Sequence, residues 1–184
     1  ATNVPNNGSH EITVPDVVSS QVRIMVRCSD NIFFDISNTN IVIGVIYTCV
    51  ELTANDVPIE ITTAGTPTIT SEINIDFEQT ISDIRVVDLI GTHTYVGELR
   101  FKLISPEGIE CLLIDQECLV FDDFDVNIDD SGNLLSIFSC PINNGQTFKP
   151  EEPLSIFLGT NTAGIWTLQI EDLEGFEGGE LLGW

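Results

Sequence analysis

The sequence has few basic residues: six lysines and arginines stand against 29 aspartates and glutamates, which gives a formal net charge of −23. A surface of this sign repels the phosphates of nucleic acids and of anionic lipid headgroups. We therefore predict neither a nucleic-acid nor a membrane partner. Most of the carboxylates are interpreted as a solvated acidic face that keeps the protein in solution.

Histidine is also scarce, because only His10 and His93 are present. A serine triad needs a histidine base beside serine and aspartate, and a cysteine nucleophile needs a base as well. The His-Glu-x-x-His pattern of zinc proteases does not occur, nor does a glycine-rich phosphate loop. The sequence therefore predicts a protein without catalytic activity of its own.

Long apolar runs are absent too. No stretch of about 18 apolar residues could form a transmembrane helix, and the first residues lack the pattern of a signal peptide. We expect either a secreted chain whose signal was removed or a piece of a longer chain. The five cysteines form an odd number, which leaves at least one thiol without an internal partner in a secreted chain.

What the sequence does have is the period-two pattern of β-strands, with segments rich in Ile, Val, Thr and Phe between turn residues. Strands are predicted at Glu11–Val14, Val22–Arg27, Ile41–Tyr47, Thr68–Ile75, Ile81–Leu89, Glu98–Ile104, Leu134–Phe138, Pro153–Phe157 and Gly164–Glu171. In the sixth of these, Leu99, Phe101 and Leu103 form the inward set. Many short strands with frequent turns indicate an all-β jelly-roll sandwich.

A domain boundary is predicted near Gly44–Val50. The residues before it offer only about three strands, too few to close a sandwich. The residues after it offer roughly eight or nine strands, enough for a complete domain. We therefore divide the chain into residues 1–48 and 49–184.

Three stretches of the second part resemble a known family. They are Ile81–Gly108, which contains His93-Thr and Gly97-Glu-Leu before a Ser-Pro-Glu-Gly turn, Pro153–Gly159, and Gly164–Trp184. Together they are similar to the P domain, also called the P/Homo B domain, of proprotein convertase type, over about residues 49–184. The resemblance implies a jelly-roll, galactose-binding-like sandwich in a secreted, extracellular bacterial protein. One departure is Glu98, where the family usually has Asp.

The family resemblance implies an accessory role rather than catalysis. Such a domain follows the catalytic domain of a secreted serine-type or metallo-type protease, packs on it and stabilises it. The expected partner is therefore the protease catalytic domain of the same parent chain. In this family pattern His93 is a structural residue of the turn that follows its strand.

The first part of the chain resembles a different module. Val22–Asn40 looks like the closing strands of an immunoglobulin-like module, which often precedes a P domain in bacterial metalloproteases. Residues 1–48 are thus expected to be the remnant of such an upstream module. The alternative is that these few N-terminal strands extend the P-domain fold.

Acidic residues concentrate in two places, Phe121–Gly132 and Glu171–Glu177. Calcium takes six to eight oxygen ligands, so a Ca²⁺ site is one interpretation, and a solvated acidic rim without metal is the other. The spacing is not that of an EF-hand. Asp83 and Glu98 could gather with the second group at one end of the sandwich. The predicted ligands are Asp115, Asp122, Asp123, Asp125, Asp129, Glu98 and Asp172.

The resemblance also assigns the cysteines. It implies a disulfide between Cys118 and Cys140, and it pairs Cys49 with a cysteine just past residue 184. Cys111 and Cys28 are expected to be buried free thiols.

Two other functions stay open at this point. Trp166 and Trp184 are interpreted as core or rim residues, and the alternative is a carbohydrate- or matrix-binding module that stacks sugars on them. The second alternative is a self-associating adhesion or assembly module, a weak homodimer in which the N-terminal strands pair with another copy.

Overall fold

A computed structural model describes residues 3–5, 7–15, 17–44, 49–136 and 139–184, and its contacts divide the chain into two compact units, Ala1–Val50 and Glu51–Trp184. In the first unit, β1 (Ser19–Val22) pairs with β4 (Ile41–Ile43), and β2 (Met25–Arg27) pairs with β3 (Phe34–Ile36). The strand expected at Glu11–Val14 is wrong, since those residues join no ladder. Two-stranded ladders cover little apolar surface, and Val26, Phe33 and Phe34 are accordingly exposed.

The second unit is a two-sheet β-sandwich, which confirms the predicted fold class. Its strands are β5 (Ile59–Ile61), β6 (Thr68–Ile75), β7 (Val86–His93), β8 (Leu99–Ile104), β9 (Glu110–Asp115), β10 (Phe124–Leu134), β11 (Asn143–Lys149), β12 (Gly164–Asp172) and β13 (Gly179–Gly183). One sheet has five strands in the order β11-β10-β7-β13-β5, and the other has four in the order β6-β12-β8-β9. All neighbours are antiparallel except the parallel pair β10 and β11.

The core lies between the two sheets and is built by alternation along the strands. Leu99, Phe101 and Leu103 of β8 are buried, as predicted, while the residues between them are half-buried. Phe101 meets Phe124 of the other sheet edge-on, with ring centroids 5.1 Å apart. Full burial of such a side chain stabilises the fold by about 1.5–3 kcal/mol. The interior faces of β7, β8, β10 and β12 therefore hold the sandwich closed.

Two predicted strands are placed differently by tertiary contacts. The segment expected from Ile81 becomes a strand only at Val86, because Ile81 bonds instead to the loop at Gly159–Thr160. Leu154–Phe157, expected as a strand, is a 3-10 turn that buries Leu154 and Phe157. The Asp130 carboxylate accepts hydrogen bonds from the backbone N–H groups of Leu154 and Ser155 (2.7 and 2.9 Å), which favours a turn over a ladder.

Other predicted strands agree more closely with the structure. Thr68–Ile75 is β6 without change, and Gly164–Glu171 is β12 with one further residue. In Ile41–Tyr47, strand β4 covers the first three residues, and residues 45–48 lie outside those described. In Leu134–Phe138, Leu134 ends β10, and residues 137 and 138 also lie outside the described part.

Both tryptophans belong to the interior. Trp166 and Trp184 are 4% and 8% exposed, and Trp184 donates its indole N–H to the Ser71 hydroxyl at 2.7 Å. Trp166 donates to the Thr162 carbonyl at 2.9 Å. Neither ring is available to stack on a sugar, which counts against the carbohydrate-binding alternative.

The cysteines fall into three environments. Cys118 and Cys140 form a disulfide across a sequence separation of 22, a loop whose closure stabilises a fold by roughly 3 kcal/mol. Cys111 is buried, and desolvation, followed by the nearby Glu152 and Asp130, raises its thiol pKa to about 12. Cys28 and Cys49 are exposed free thiols within the described residues. The expectation that Cys28 is buried is wrong, because Cys28 directly follows β2 of a two-stranded hairpin and is exposed.

The close approach of β13 to β7 depends on Gly179. A Cβ atom there would overlap the Thr92 carbonyl, whereas at Gly183 of the same strand the nearest atom would be 3.7 Å away. We expect Gly179→Ala to lower the free energy of unfolding by about 1–3 kcal/mol in urea denaturation, because overpacking forces the strands apart. Gly183→Ala is the matched control and should lie close to the unchanged protein. Equal effects of the two substitutions would contradict this packing.

The thiols should differ in reactivity. With Ellman's reagent at pH 8 and no reductant, we expect Cys28 and Cys49 to react rapidly, because both are exposed. Cys111 should react only after unfolding, since its thiol is buried and its pKa is raised to about 12. Cys28→Ser and Cys49→Ser together should abolish the fast phase. A fast thiol left in that double variant would show that Cys111 is accessible.

Candidate functional site

Three loops meet at one end of the sandwich. They are residues 94–98 between β7 and β8, 116–123 between β9 and β10, and 173–178 between β12 and β13. Backbone N–H groups of Val96 and Gly97 donate to the carbonyls of Phe121 and Leu119 (2.9 and 3.1 Å), and Leu173 N–H donates to the Glu98 carbonyl (2.9 Å). These bonds hold the loops side by side. We call this region the loop end.

A histidine and an aspartate lie buried beneath the loop end. His93 is the last residue of β7 and Asp172 the last of β12, and they are 1% and 2% exposed. His93 Nε2 lies 3.4 Å from Asp172 Oδ2. Since β7 and β12 belong to different sheets, this contact joins the two layers.

The alternation of the strands explains why both side chains point inward. Leu89, Gly91 and His93 follow one another on the buried face of β7. Leu168, Ile170 and Asp172 do the same on β12. The polar residues thus occupy the last inward position of each strand, where the apolar core gives way to the loops.

Glu98 completes a three-residue cluster. It ends the 3-10 turn Val96–Glu98, and β12 places Asp172 opposite Leu99, the next residue. One donor atom from each of His93, Glu98 and Asp172 lies within 4.8 Å of the others. Burial raises the pKa of Glu98, and the charges of Glu177 and Asp172 raise it further, while His93 acts in the opposite direction.

Glu98 and Asp172 of this cluster are among the metal ligands predicted from the sequence, and His93 is not. The sequence resemblance assigns His93 a structural role in the turn. The alternation of inward and outward residues along β7 places His93 on the buried face and could have identified it as a candidate ligand. The same alternation along β12 predicts that Asp172 points inward.

The remaining predicted ligands are not part of this three-residue cluster, and several have partners in the chain. Asp115 accepts a hydrogen bond from Arg100 at 2.8 Å, and Asp123 accepts one from the His93 backbone N–H at 3.2 Å. Asp129 lies 2.8 Å from Arg85. Asp122 is exposed, and Asp125 is half-buried.

Asp129 illustrates how the protein itself satisfies these carboxylates. Hydrogen bonds from the backbone N–H and hydroxyl of Ser131 lower its pKa, and Arg85 lowers it further. Asp123, Asp125, Asn127 and Asp129 do share one face of the chain, since the residues between them are buried. Calcium binding by this face stays a prediction.

Asp83 does not join the cluster at the loop end, as the sequence had suggested. It precedes β7 and lies 3.0 Å from Arg85, whereas His93 stands at the other end of that strand. The expected gathering of Asp83 with Glu98 is therefore wrong.

The surface of the loop end is apolar with an acidic surround. Phe176 is 91% exposed, and Leu119, Val120 and Tyr95 are exposed as well. The three loops contain no lysine or arginine but carry several carboxylates. These are Glu98, Glu117, Asp122, Asp123, Glu174 and Glu177.

Comparisons with known proteins agree with the sequence resemblance. The model of the family described as "Proprotein convertase P-domain" matches residues 81–184, which is more than half of the chain. No curated protein sequence matches. Within the described residues, no helix is long and apolar enough to cross a bilayer.

Among solved structures, the chain is similar to the Aeromonas sobria serine protease (ASP) in its complex with the chaperone (ORF2). The sequence identity is 15% and the TM-score 0.40, and the match covers 70% of the present chain and 26% of that chain. The present chain thus spans about a quarter of the length of the protein it matches.

The family match covers β7 to β13, the strands that build most of both sheets and all three loops of the loop end. The P domain is an accessory, non-catalytic domain. The chain belongs to the proprotein convertase P-domain family.

Proposed function

We propose that this chain is the non-catalytic accessory part of a secreted bacterial protease and that it binds the catalytic domain of the same parent chain through the loop end. The family match over residues 81–184 carries the accessory role. The choice of surface rests on the exposure and charge of the three loops.

The apolar side chains of the loop end are suited to a protein partner. Phe176, Leu119 and Val120 project from loops whose backbones are held together by hydrogen bonds. Aromatic and aliphatic residues in the centre of a contact, surrounded by charged residues, are typical of protein interfaces. Because the surrounding charges are all acidic, the complementary surface should have an apolar centre and a basic rim.

Binding of this kind would stabilise the catalytic domain by mass action. A domain that binds the folded but not the unfolded partner raises the free energy of unfolding of that partner. A covalent link in one chain raises the effective concentration to the millimolar range. Modest intrinsic affinity is therefore sufficient for an accessory domain.

A second candidate function is self-association through the N-terminal strands. Val26, Phe33 and Phe34 of the β2–β3 hairpin are exposed, which favours pairing with another copy. Light scattering at high protein concentration tests this directly. A strict monomer would remove the candidate.

The docking proposal is tested by adding the chain in trans to the catalytic domain of its parent protease. We expect saturating chain to raise the melting temperature of the catalytic domain by several degrees, and to show no peptidase activity alone. Phe176→Asp should weaken the apparent affinity at least tenfold, since it places a charge in an apolar contact.

The matched control for this experiment is Leu134→Asp. Leu134 is also exposed, but it lies at the C-terminal end of β10, whereas the loop end adjoins the first residue of that strand. It should behave like the unchanged chain. Equal losses in the two variants, or no effect of the unchanged chain on melting, would contradict docking through the loop end.

A further inference from the structure

Two buried polar atoms, His93 Nε2 and Asp172 Oδ2, face each other 3.4 Å apart. His93 Nδ1 lies 2.9 Å from the Tyr95 carbonyl and 3.2 Å from the Tyr95 backbone N–H, so its contacts are compatible with either tautomer of the ring. Neither Nε2 nor Oδ2 has a hydrogen-bond partner among the described residues. A buried carboxylate in this position is costly unless a positive charge, either a proton on Nε2 or a metal ion, lies between the two atoms.

A third acceptor is directed at the same place. Glu98 Oε2 is also buried and has no hydrogen-bond partner in the described part of the chain. It lies with the His93 and Asp172 donor atoms inside the 4.8 Å cluster. The two carboxylates, when ionised, carry a charge of −2, which one divalent cation would neutralise.

No basic side chain of the neighbouring strands is available to supply that charge. Arg100 is the nearest in sequence, but it and Glu171 alternate to the outer face of the four-stranded sheet. There Arg100 lies 2.8 Å from Asp115 and 3.6 Å from Glu171. Leu99 and Asp172, in contrast, point inward.

The donor set indicates which class of cation would bind. Calcium and magnesium take oxygen ligands, whereas an imidazole nitrogen beside carboxylates suits zinc and related transition metals. Tetrahedral zinc with bonds of about 2.0–2.1 Å separates its ligands by roughly 3.4 Å. The Nε2 to Oδ2 distance of 3.4 Å equals this spacing.

Both buried ligands are also held from behind. The carbonyl and the backbone N–H of Tyr95 lie 2.9 and 3.2 Å from His93 Nδ1 and orient the ring, and the Glu174 N–H donates to Asp172 Oδ1 at 3.2 Å. Ligating histidines and carboxylates in metal sites are typically oriented by such contacts. We propose that His93, Glu98 and Asp172 bind one divalent cation of the zinc class, which links the two sheets beneath the loop end. This inference does not depend on the proposed function.

The test uses the full chain with Cys28→Ser and Cys49→Ser, which removes the exposed thiols as adventitious zinc ligands. After dialysis against a chelator, calorimetric titration with ZnCl₂ should show one saturable site of micromolar affinity or tighter. Zinc should raise the melting temperature by several degrees. Cobalt should give the visible absorption bands of a low-symmetry site with nitrogen and oxygen ligands.

Glu98→Gln is the decisive variant, because Glu98 is only half-buried and the amide keeps its shape. We expect it to weaken zinc binding at least tenfold. Glu180→Gln is the matched control: it removes the same charge from an exposed position on β13, opposite Thr92. It should bind zinc like the parent.

Three results would overturn the proposal. They are the absence of saturable zinc binding, equal affinities of the Glu98→Gln and Glu180→Gln variants, and tighter binding of CaCl₂ than of ZnCl₂. Nitrogen NMR adds a check that requires no substitution. If both ring nitrogens of His93 remain protonated with excess zinc, the cluster holds a proton and not a metal ion.

Discussion

The burial of two apolar sheet faces against each other is the interaction on which the rest of this structure depends. Strands β7 and β10 of one sheet and β8 and β12 of the other contribute alternate side chains to a single interior, in which Phe101 meets Phe124. In the described residues of the first unit, the two-stranded ladders enclose no comparable interior, and the apolar side chains are largely exposed. The sandwich therefore provides the rigid part of the chain from which loops can present a surface.

The position of the candidate site follows from the same alternation. His93 and Asp172 occupy the last inward positions of β7 and β12, so they are buried by the register of their strands although they are polar. The loops that follow these strands carry the exposed apolar residues. Exposed apolar residues and a buried polar cluster thus lie at one end of the sandwich, and an ion in the cluster would stiffen the loops above it.

The all-β class, the strands β6 and β12 and the inward set of β8 could be predicted from the sequence, because they depend on local alternation. The start of β7 and the turn at Leu154–Phe157 could not, because hydrogen bonds from distant residues such as Asp130 decide them. Two of the three cluster residues, Glu98 and Asp172, can be proposed as metal ligands from the sequence. The proximity of His93 to them cannot, because it depends on the pairing of β12 with β8 and on the packing of the sheet that contains β7 against them. The exposure of Cys28 could not be predicted either, because a strand pattern does not reveal whether another layer covers the strand.

If the loop end binds the catalytic domain, as we propose, amide hydrogen exchange of the chain will change when that domain is added. Measured with and without the catalytic domain of the parent protease, exchange should slow in residues 94–98, 116–123 and 173–178 and stay unchanged in the Ser105–Gly108 turn. Protection confined to that turn or to the first 50 residues, with the three loops unchanged, would contradict this proposal.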